Sequence, residues 1–229
     1  MVDFHRSTQM IQAVLFDLDG TLYDRDLLVQ TLIGEQFDAF RGDLGNVDRP
    51  SFIRRILDLD GHGFGDKMEL YKTVGKEWLL SRELSDRLHS DFWSRYVRHC
   101  KASEDTRATL EQLRRHGIKL GVITNGSTQW QQQKLDSLGI TSLFDTVLVS
   151  EAEGLRKPDR AIFERALARL FVRAEDTMFV GDNPEADVAG ARAAGLIPVW
   201  KYVPYWKMNI KDVMTIHHLA EILPLCLEA

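Results

Sequence analysis

Phe16-Asp17-Leu18-Asp19-Gly20-Thr21, reached through the apolar run from Ile11 to Phe16, is the stretch that decides how this 229-residue chain folds. Ile11 to Phe16 is rich in β-branched and aromatic residues, which predicts a short buried strand. The run stops at Asp and Gly, the residues of turns. A second run of the same kind, Lys119 to Thr124, stops at Asn125-Gly126. The long segment between the two has little strand character. Instead Leu27 to Phe40, Phe52 to Leu57, Met68 to Leu80 and Leu84 to Val97 carry helical spacing. They predict a helical domain inserted after the first strand.

Beyond Arg107 the pattern becomes regular. Helices are expected at about Arg107 to His116, near Gln129 to Leu138, over Asp159 to Leu170 and over Glu185 to Ala194. Gly117, Gly139 and Gly195 stand just past three of them, as C-cap glycines do. Strands are expected at Lys119 to Thr124, Thr146 to Val149, Thr177 to Val180 and Ile197 to Trp200. Strands alternating with helices predict an α/β fold with a parallel sheet covered on both faces. In such sheets ligands bind beyond the carboxyl ends of the strands. The residues just past those ends are Asp17 and Asp19, Thr124 and Asn125, Ser150, and Asp182. Lys157 lies on the loop after the third strand.

Composition excludes several classes. Hydrophobic residues make up 44% and charged residues 28% of the chain, enough for a sizeable core. The formal net charge is −5, without the basic surplus of a nucleic-acid binder. Cys100 and Cys226 are too far apart in sequence to be a metal-ligand pair or a disulfide framework, which fits a reducing cytoplasm. Met1 to Met10 lacks the apolar run of a secretory signal, and no apolar stretch approaches the roughly 18–20 residues needed to span a bilayer.

One Asp after a strand is ordinarily a turn residue or a helix cap. Several at neighbouring strand ends would repel one another, and a hard cation relieves that repulsion. Oxygen ligands of this kind suit Mg²⁺, which commonly takes one or two carboxylates, waters and a substrate phosphate.

With these residues assembled, the chain resembles the haloacid dehalogenase-like superfamily. Phe16-Asp17-Leu18-Asp19-Gly20-Thr21 with Leu22-Tyr23-Asp24 is similar to its first motif, and Val122-Ile123-Thr124-Asn125-Gly126 to its second. Lys157-Pro158-Asp159 resembles the third and Gly181-Asp182-Asn183-Pro184-Glu185-Ala186-Asp187 the fourth. The match covers residues 11–22 and about 104–200. The resemblance implies a Rossmann-like core over residues 1–22 and 100–229 and a helical cap over 23–99; the placement of that insertion beside Asp17, with glycines at Gly42, Gly45, Gly61, Gly63 and Gly65, predicts that it closes over the core in turnover and sets specificity. It implies a Mg²⁺-dependent phosphomonoester hydrolase acting on a small phosphorylated metabolite through an aspartyl-phosphate.

In that scheme Asp17 is the nucleophile. Asp19 protonates the leaving oxygen and then takes a proton from water. Mg²⁺ is held by the side chains of Asp17 and Asp182 and by the backbone carbonyl of Asp19. Thr124 and backbone N–H groups at Leu18, Asp19, Asn125 and Gly126 hold the phosphoryl oxygens. Lys157 balances charge on the nucleophile and phosphate. Thr21 supports the loop through its hydroxyl, and Asp187 orients Lys157 or a metal-bound water, a role compatible with that of a helix N-terminal carboxylate.

Dehalogenation needs no acid at the position of Asp19, which argues against it. A phosphosugar mutase, or a phosphonate hydrolase using Lys67, Lys72 or Lys76, remains open on the same core. So does a non-catalytic phosphate-binding regulatory protein, although every chemical position is filled. Gly61-His62-Gly63-Phe64-Gly65 reads as a turn between helices, and His217-His218 as a surface pair. Trp200 to Trp206 reads as a packed loop or a dimer contact. A cytoplasmic monomer or homodimer with no nucleic-acid or membrane partner is expected.

Overall fold

The computed structural model describes residues 10–208 and 210–227. Of the segment Met1 to Met10, read above as lacking a secretory signal, all but Met10 lies outside the described residues. The chain divides into two compact units, one of Met1–Tyr23 with Ala102–Ala229 and one of Asp24–Lys101. No helix among the described residues is long and apolar enough to cross a membrane.

The second unit is helical throughout: α1 (Arg25–Phe40), α2 (Arg49–Asp60), α3 (Lys67–Glu77) and α4 (Arg82–His99). Each starts at a side chain that accepts a backbone N–H of its first turn: Asp24 from Leu27, Asp48 from Ser51, Asp66 from Glu69 and Ser81 from Leu84. Their inward faces bury Ile33, Phe52, Ile56, Val74, Leu88 and Phe92. Trp78 stacks on Phe52 at 5.5 Å between ring centroids. The Gly61–Gly65 stretch is a turn wrapped on buried Asp60, which pairs with Arg25 at 2.8 Å and Lys67 at 2.9 Å and accepts the Gly63 N–H. Lys67, a Schiff-base candidate by sequence, is therefore ion-paired, and Lys72 and Lys76 are exposed.

The first unit holds a six-stranded sheet in which every pairing is parallel. Its strands are β1 (Ala13–Phe16), β2 (Lys119–Thr124), β3 (Thr146–Val149), β4 (Thr177–Gly181), β5 (Ile197–Lys201) and β6 (Met214–Ile216), in the order β3-β2-β1-β4-β5-β6. β1 is buried at all four residues, as a strand covered on both faces must be. The helices are α5 (Glu104–Arg115), α6 (Thr128–Leu138), α7 (Ser150–Glu153), α8 (Arg160–Leu170), α9 (Gly190–Ala193) and α10 (Ile222–Leu227). Ile162, Phe163 and Ala166 of α8 pack on Ala13, Leu15 and Phe179 of the sheet. Strand alternation turns Val14 and Phe16 to the opposite face, and Phe16 there meets Phe144 edge-on.

Several elements differ from the sequence reading, the short helices α7 and α10 among them. β6 was not anticipated, because three residues are too few to show a period. The helix expected over Glu185 to Ala194 is instead a π-helical turn, Pro184–Ala189, followed by the single turn of α9. Val188 N–H reaches back five residues to the Asn183 carbonyl at 3.2 Å. The Asn183 side chain meanwhile accepts from Glu185 and Ala186.

Candidate active site

Strand order reverses at β1: β2 and β3 lie to one side, β4 to β6 to the other. Such a switch point opens a crevice at the strand carboxyl ends. Register fills it, since Phe16 pairs with both Val122 and Val180. Asp17, Thr124 and Asp182 are thus delivered to one place. The Asp17 N–H donates to the Val180 carbonyl at 2.9 Å, which anchors the turn after β1. At Gly20 φ is +81°, and a Cβ there would lie 3.0 Å from Asp182 Oδ2, so this loop needs glycine twice over. The hydroxyl of buried Thr21 makes no hydrogen bond, so the expected support through it is not seen.

Asp17, Asp182 and Asp187 are all buried, and their carboxylate oxygens lie within 4.8 Å of one another. Lys157, 3% exposed, bridges two of them, 2.5 Å from Asp17 Oδ1 and 2.6 Å from Asp187 Oδ1. Burial pushes Asp17 well above the usual carboxylate range, with Asp187 and Asp182 adding to the rise, against the pull of Lys157. Burial and then Asp187 lift Asp182 to about 6. Burial alone would lower Lys157, but the two paired carboxylates outweigh it and hold the ammonium above its usual value.

Asp187 reaches this cluster through the π-helical turn and accepts the Asn183 N–H at 2.9 Å. It packs so tightly on β4 that a Cβ at Gly181 would stand 2.4 Å from its carboxyl carbon. Three carboxylates against one ammonium leave an uncompensated negative charge in a buried place. That donor set fits a hard divalent cation such as Mg²⁺.

Asp182 is held from the aromatic segment that the sequence reading assigned to packing or a dimer contact. Its carbonyl accepts the Trp200 indole N–H at 2.8 Å, and its Oδ2 accepts the Tyr205 hydroxyl at 2.5 Å. His217 and His218 are exposed, and both backbone N–H groups donate to Glu221.

Thr124 is buried at the end of β2. Asn125 does more than its backbone: its amide donates to the Lys157 carbonyl and accepts the Lys157 N–H, both at 2.9 Å, fixing the lysine loop against β2. The Gly126 N–H, expected to face phosphate, donates instead to the Ser150 hydroxyl at 3.0 Å.

Asp19 is directed elsewhere than the acidic cluster. Lys134 Nζ stands 2.7 and 2.9 Å from its two oxygens. Gln131 donates to Oδ2 at 2.9 Å, and the Tyr23 hydroxyl donates to Oδ1. Burial would raise this carboxyl, but Lys134, Tyr23 and Gln131 together hold it far below the usual range. Gln131 and Lys134 escaped the sequence reading. Their signal was their spacing, three residues apart on the helix that begins just past β2, which puts them on one face.

A family profile described as hydrolase, haloacid dehalogenase-like hydrolase, matches residues 11–195. The chain is 36% identical over 199 residues to a ribulose-1,5-bisphosphate 5-phosphatase of Halopiger xanaduensis, covering 82% of this chain and 83% of that one. It is 33% identical over 195 residues to a glyceraldehyde 3-phosphate phosphatase of Methanocaldococcus jannaschii, covering 83% and 84%. In structure it resembles a hydrolase of Bacillus subtilis with a TM-score of 0.72 at 22% identity, over 95% of this chain and 99% of that one.

Proposed function

Because the chain belongs to the haloacid dehalogenase-like hydrolases, we propose that it hydrolyses the phosphomonoester of a small phosphorylated sugar, with Asp17 as nucleophile. The observation that carries this reading is Lys157 bridging Asp17 and Asp187 beside Asp182, with Asp19 two residues further along the same loop. The names of the two relatives support a sugar phosphate as substrate.

In the first half-reaction a carboxylate oxygen of Asp17 attacks phosphorus. The bond from phosphorus to the sugar oxygen breaks, and that oxygen takes a proton from Asp19. In the second half-reaction water attacks the aspartyl-phosphate, Asp19 accepts the water's proton, and phosphate leaves as the Asp17 carboxylate is restored. Lys134, Tyr23 and Gln131 favour the carboxylate form of Asp19, which the second half needs. Lys157 balances the charge gathering on Asp17 and the phosphoryl oxygens. Thr124 donates its hydroxyl to one of those oxygens. The side chains of Asp17 and Asp182, with the Asp19 carbonyl, would hold Mg²⁺, and Asp187 keeps Lys157 aimed at Asp17. Bound there, the ion would supply charge neutralisation between nucleophile and phosphate.

The test is phosphate release with Mg²⁺ present, from glyceraldehyde 3-phosphate, ribulose 1,5-bisphosphate, other sugar phosphates, nucleoside monophosphates and phosphoglycolate-like acids. Release from a sugar phosphate that stops on chelation is expected. No release from any of these compounds rejects the reading.

A further inference from the structure

We propose that Gln131 and Lys134 of α6 are positioning residues that hold the proton-transfer carboxylate of Asp19 and the phosphate-binding hydroxyl of Thr124 in one shared arrangement. The inference rests on the phosphatase reading and deepens it.

The observation is a convergence of donors. Lys134 reaches both oxygens of Asp19, at 2.7 and 2.9 Å. Gln131 Nε2 reaches Asp19 Oδ2 at 2.9 Å and the Asn125 carbonyl at 3.3 Å, and it also donates to Thr124 Oγ1. Both residues are buried, Gln131 at 2% exposure and Lys134 at 9%. The orientation of the amide is not arbitrary. The backbone carbonyl of Asn125 can only accept, so the amide nitrogen must lie on this side.

Thr124 gains the most from this. A hydroxyl has one proton to donate. If it must donate to a neighbour, it is lost to substrate. Here Gln131 gives Thr124 a hydrogen bond to accept, which leaves the hydroxyl proton for a phosphoryl oxygen. The same amide group fixes the carboxylate that must meet the leaving oxygen. Phosphate recognition and proton transfer are thereby referenced to one helix face rather than to two independent loops. Two buried residues would then affect rate through the orientation of Asp19 and Thr124. Misplacement of a reacting group by about 1 Å can cost about 10²-fold.

A helix-to-loop tie of purely structural value would predict a different pattern of losses, and leaving-group dependence separates the two. Lys134→Met keeps length and removes the charge. With a sugar phosphate, whose leaving oxygen needs a proton, kcat for Lys134→Met should fall about tenfold to a hundredfold with little change in KM. In single turnover with an aryl phosphate, whose leaving group is a better anion, phosphoenzyme formation should fall much less. Lys134→Arg should recover most of the loss. Gln131→Leu should raise KM as well, because it frees Thr124. If Lys134→Met does not fold, Lys134→Gln carries the same comparison.

Equal losses on both substrates, or unchanged rates in a folded variant, would overturn the proposal. A crystal structure of Lys134→Met reads the claim without turnover: a displaced Asp19 carboxylate is expected, and an unmoved one rejects it. Failure of the parent reading looks different, since wild-type protein would then release no phosphate from any substrate.

Discussion

Tyr205 donates its hydroxyl to Oδ2 of Asp182 at 2.5 Å, so a residue of the aromatic loop after β5 orients a carboxylate at the end of β4. Groups that orient a metal ligand are commonly worth about 10–100-fold in metal affinity. Tyr205→Phe is therefore expected to weaken Mg²⁺ binding by about that factor while leaving the fold intact. Calorimetric titration of Mg²⁺ into wild type and variant checks it. Equal affinities would show that this hydrogen bond does not serve a metal site.

The acidic cluster predicts an unusual pH dependence of stability for the metal-free protein. Asp17 and Asp182 have folded-state values raised above 3.8, Asp182 to about 6, so the folded chain binds more protons than the unfolded one in that interval. Stability then falls as pH rises from about 4 through about 6. Asp19 works the other way, but its lowered value confines its effect to the acid side of 3.8. Melting in EDTA should occur at lower temperature at pH about 7 than at pH about 5, and Mg²⁺ should remove the drop. A metal-free melting temperature that climbs steadily over that range contradicts the arrangement.

Asp182→Asn should raise the metal-free stability and abolish the response to Mg²⁺. The lift of Asp182 from 3.8 to about 6 corresponds to about 2–3 kcal/mol of destabilisation at neutral pH. Asn removes it while still accepting from Tyr205. A gain of about 5 °C in EDTA is expected for a chain of this size. Thermal melts with and without Mg²⁺ decide it, and a loss of stability in EDTA would count against the repulsion.

Asp19→Ala should cost stability as well as rate, because it removes the carboxylate whose two oxygens meet Lys134 at 2.7 and 2.9 Å. Breaking a buried ion pair by removing one partner costs up to about 3–5 kcal/mol. The double substitution Asp19→Ala with Lys134→Met should recover much of the stability but none of the activity. Denaturant unfolding of the two single variants and the double variant measures the coupling. Additive losses would mean that the pair is not coupled.

Much of the core could be read directly from the chain because its signals are local. Runs such as Ala13–Phe16 and Thr177–Gly181 are apolar and end in turn chemistry, so strand, turn and the following carboxylate appear together. The partners of those carboxylates were less visible. Gln131 and Lys134 sit on an ordinary-looking helix, and only the packing of α6 over the loop after β1 joins them to Asp19. Tyr205 lies in a stretch whose aromatic composition suits a packed loop equally well, and its hydroxyl finds Asp182 through the pairing of β4 with β5. Asn125 was read for its backbone, whereas its side chain ties two loops together. In each case the missing information was a contact between elements distant in sequence.

The π-helical turn at Pro184–Ala189 bears on how such a site could arise. A π turn holds one residue more than the α turn it replaces. Wound as an α-helix with the same residues, the segment would turn Asp187 to another direction about the helix axis. Its carboxylate would then leave Lys157, and Gly181 would face open space where Asp187 now packs. The third carboxylate of the cluster thus depends on how one helical turn is wound, with no change at the strands that carry the other two.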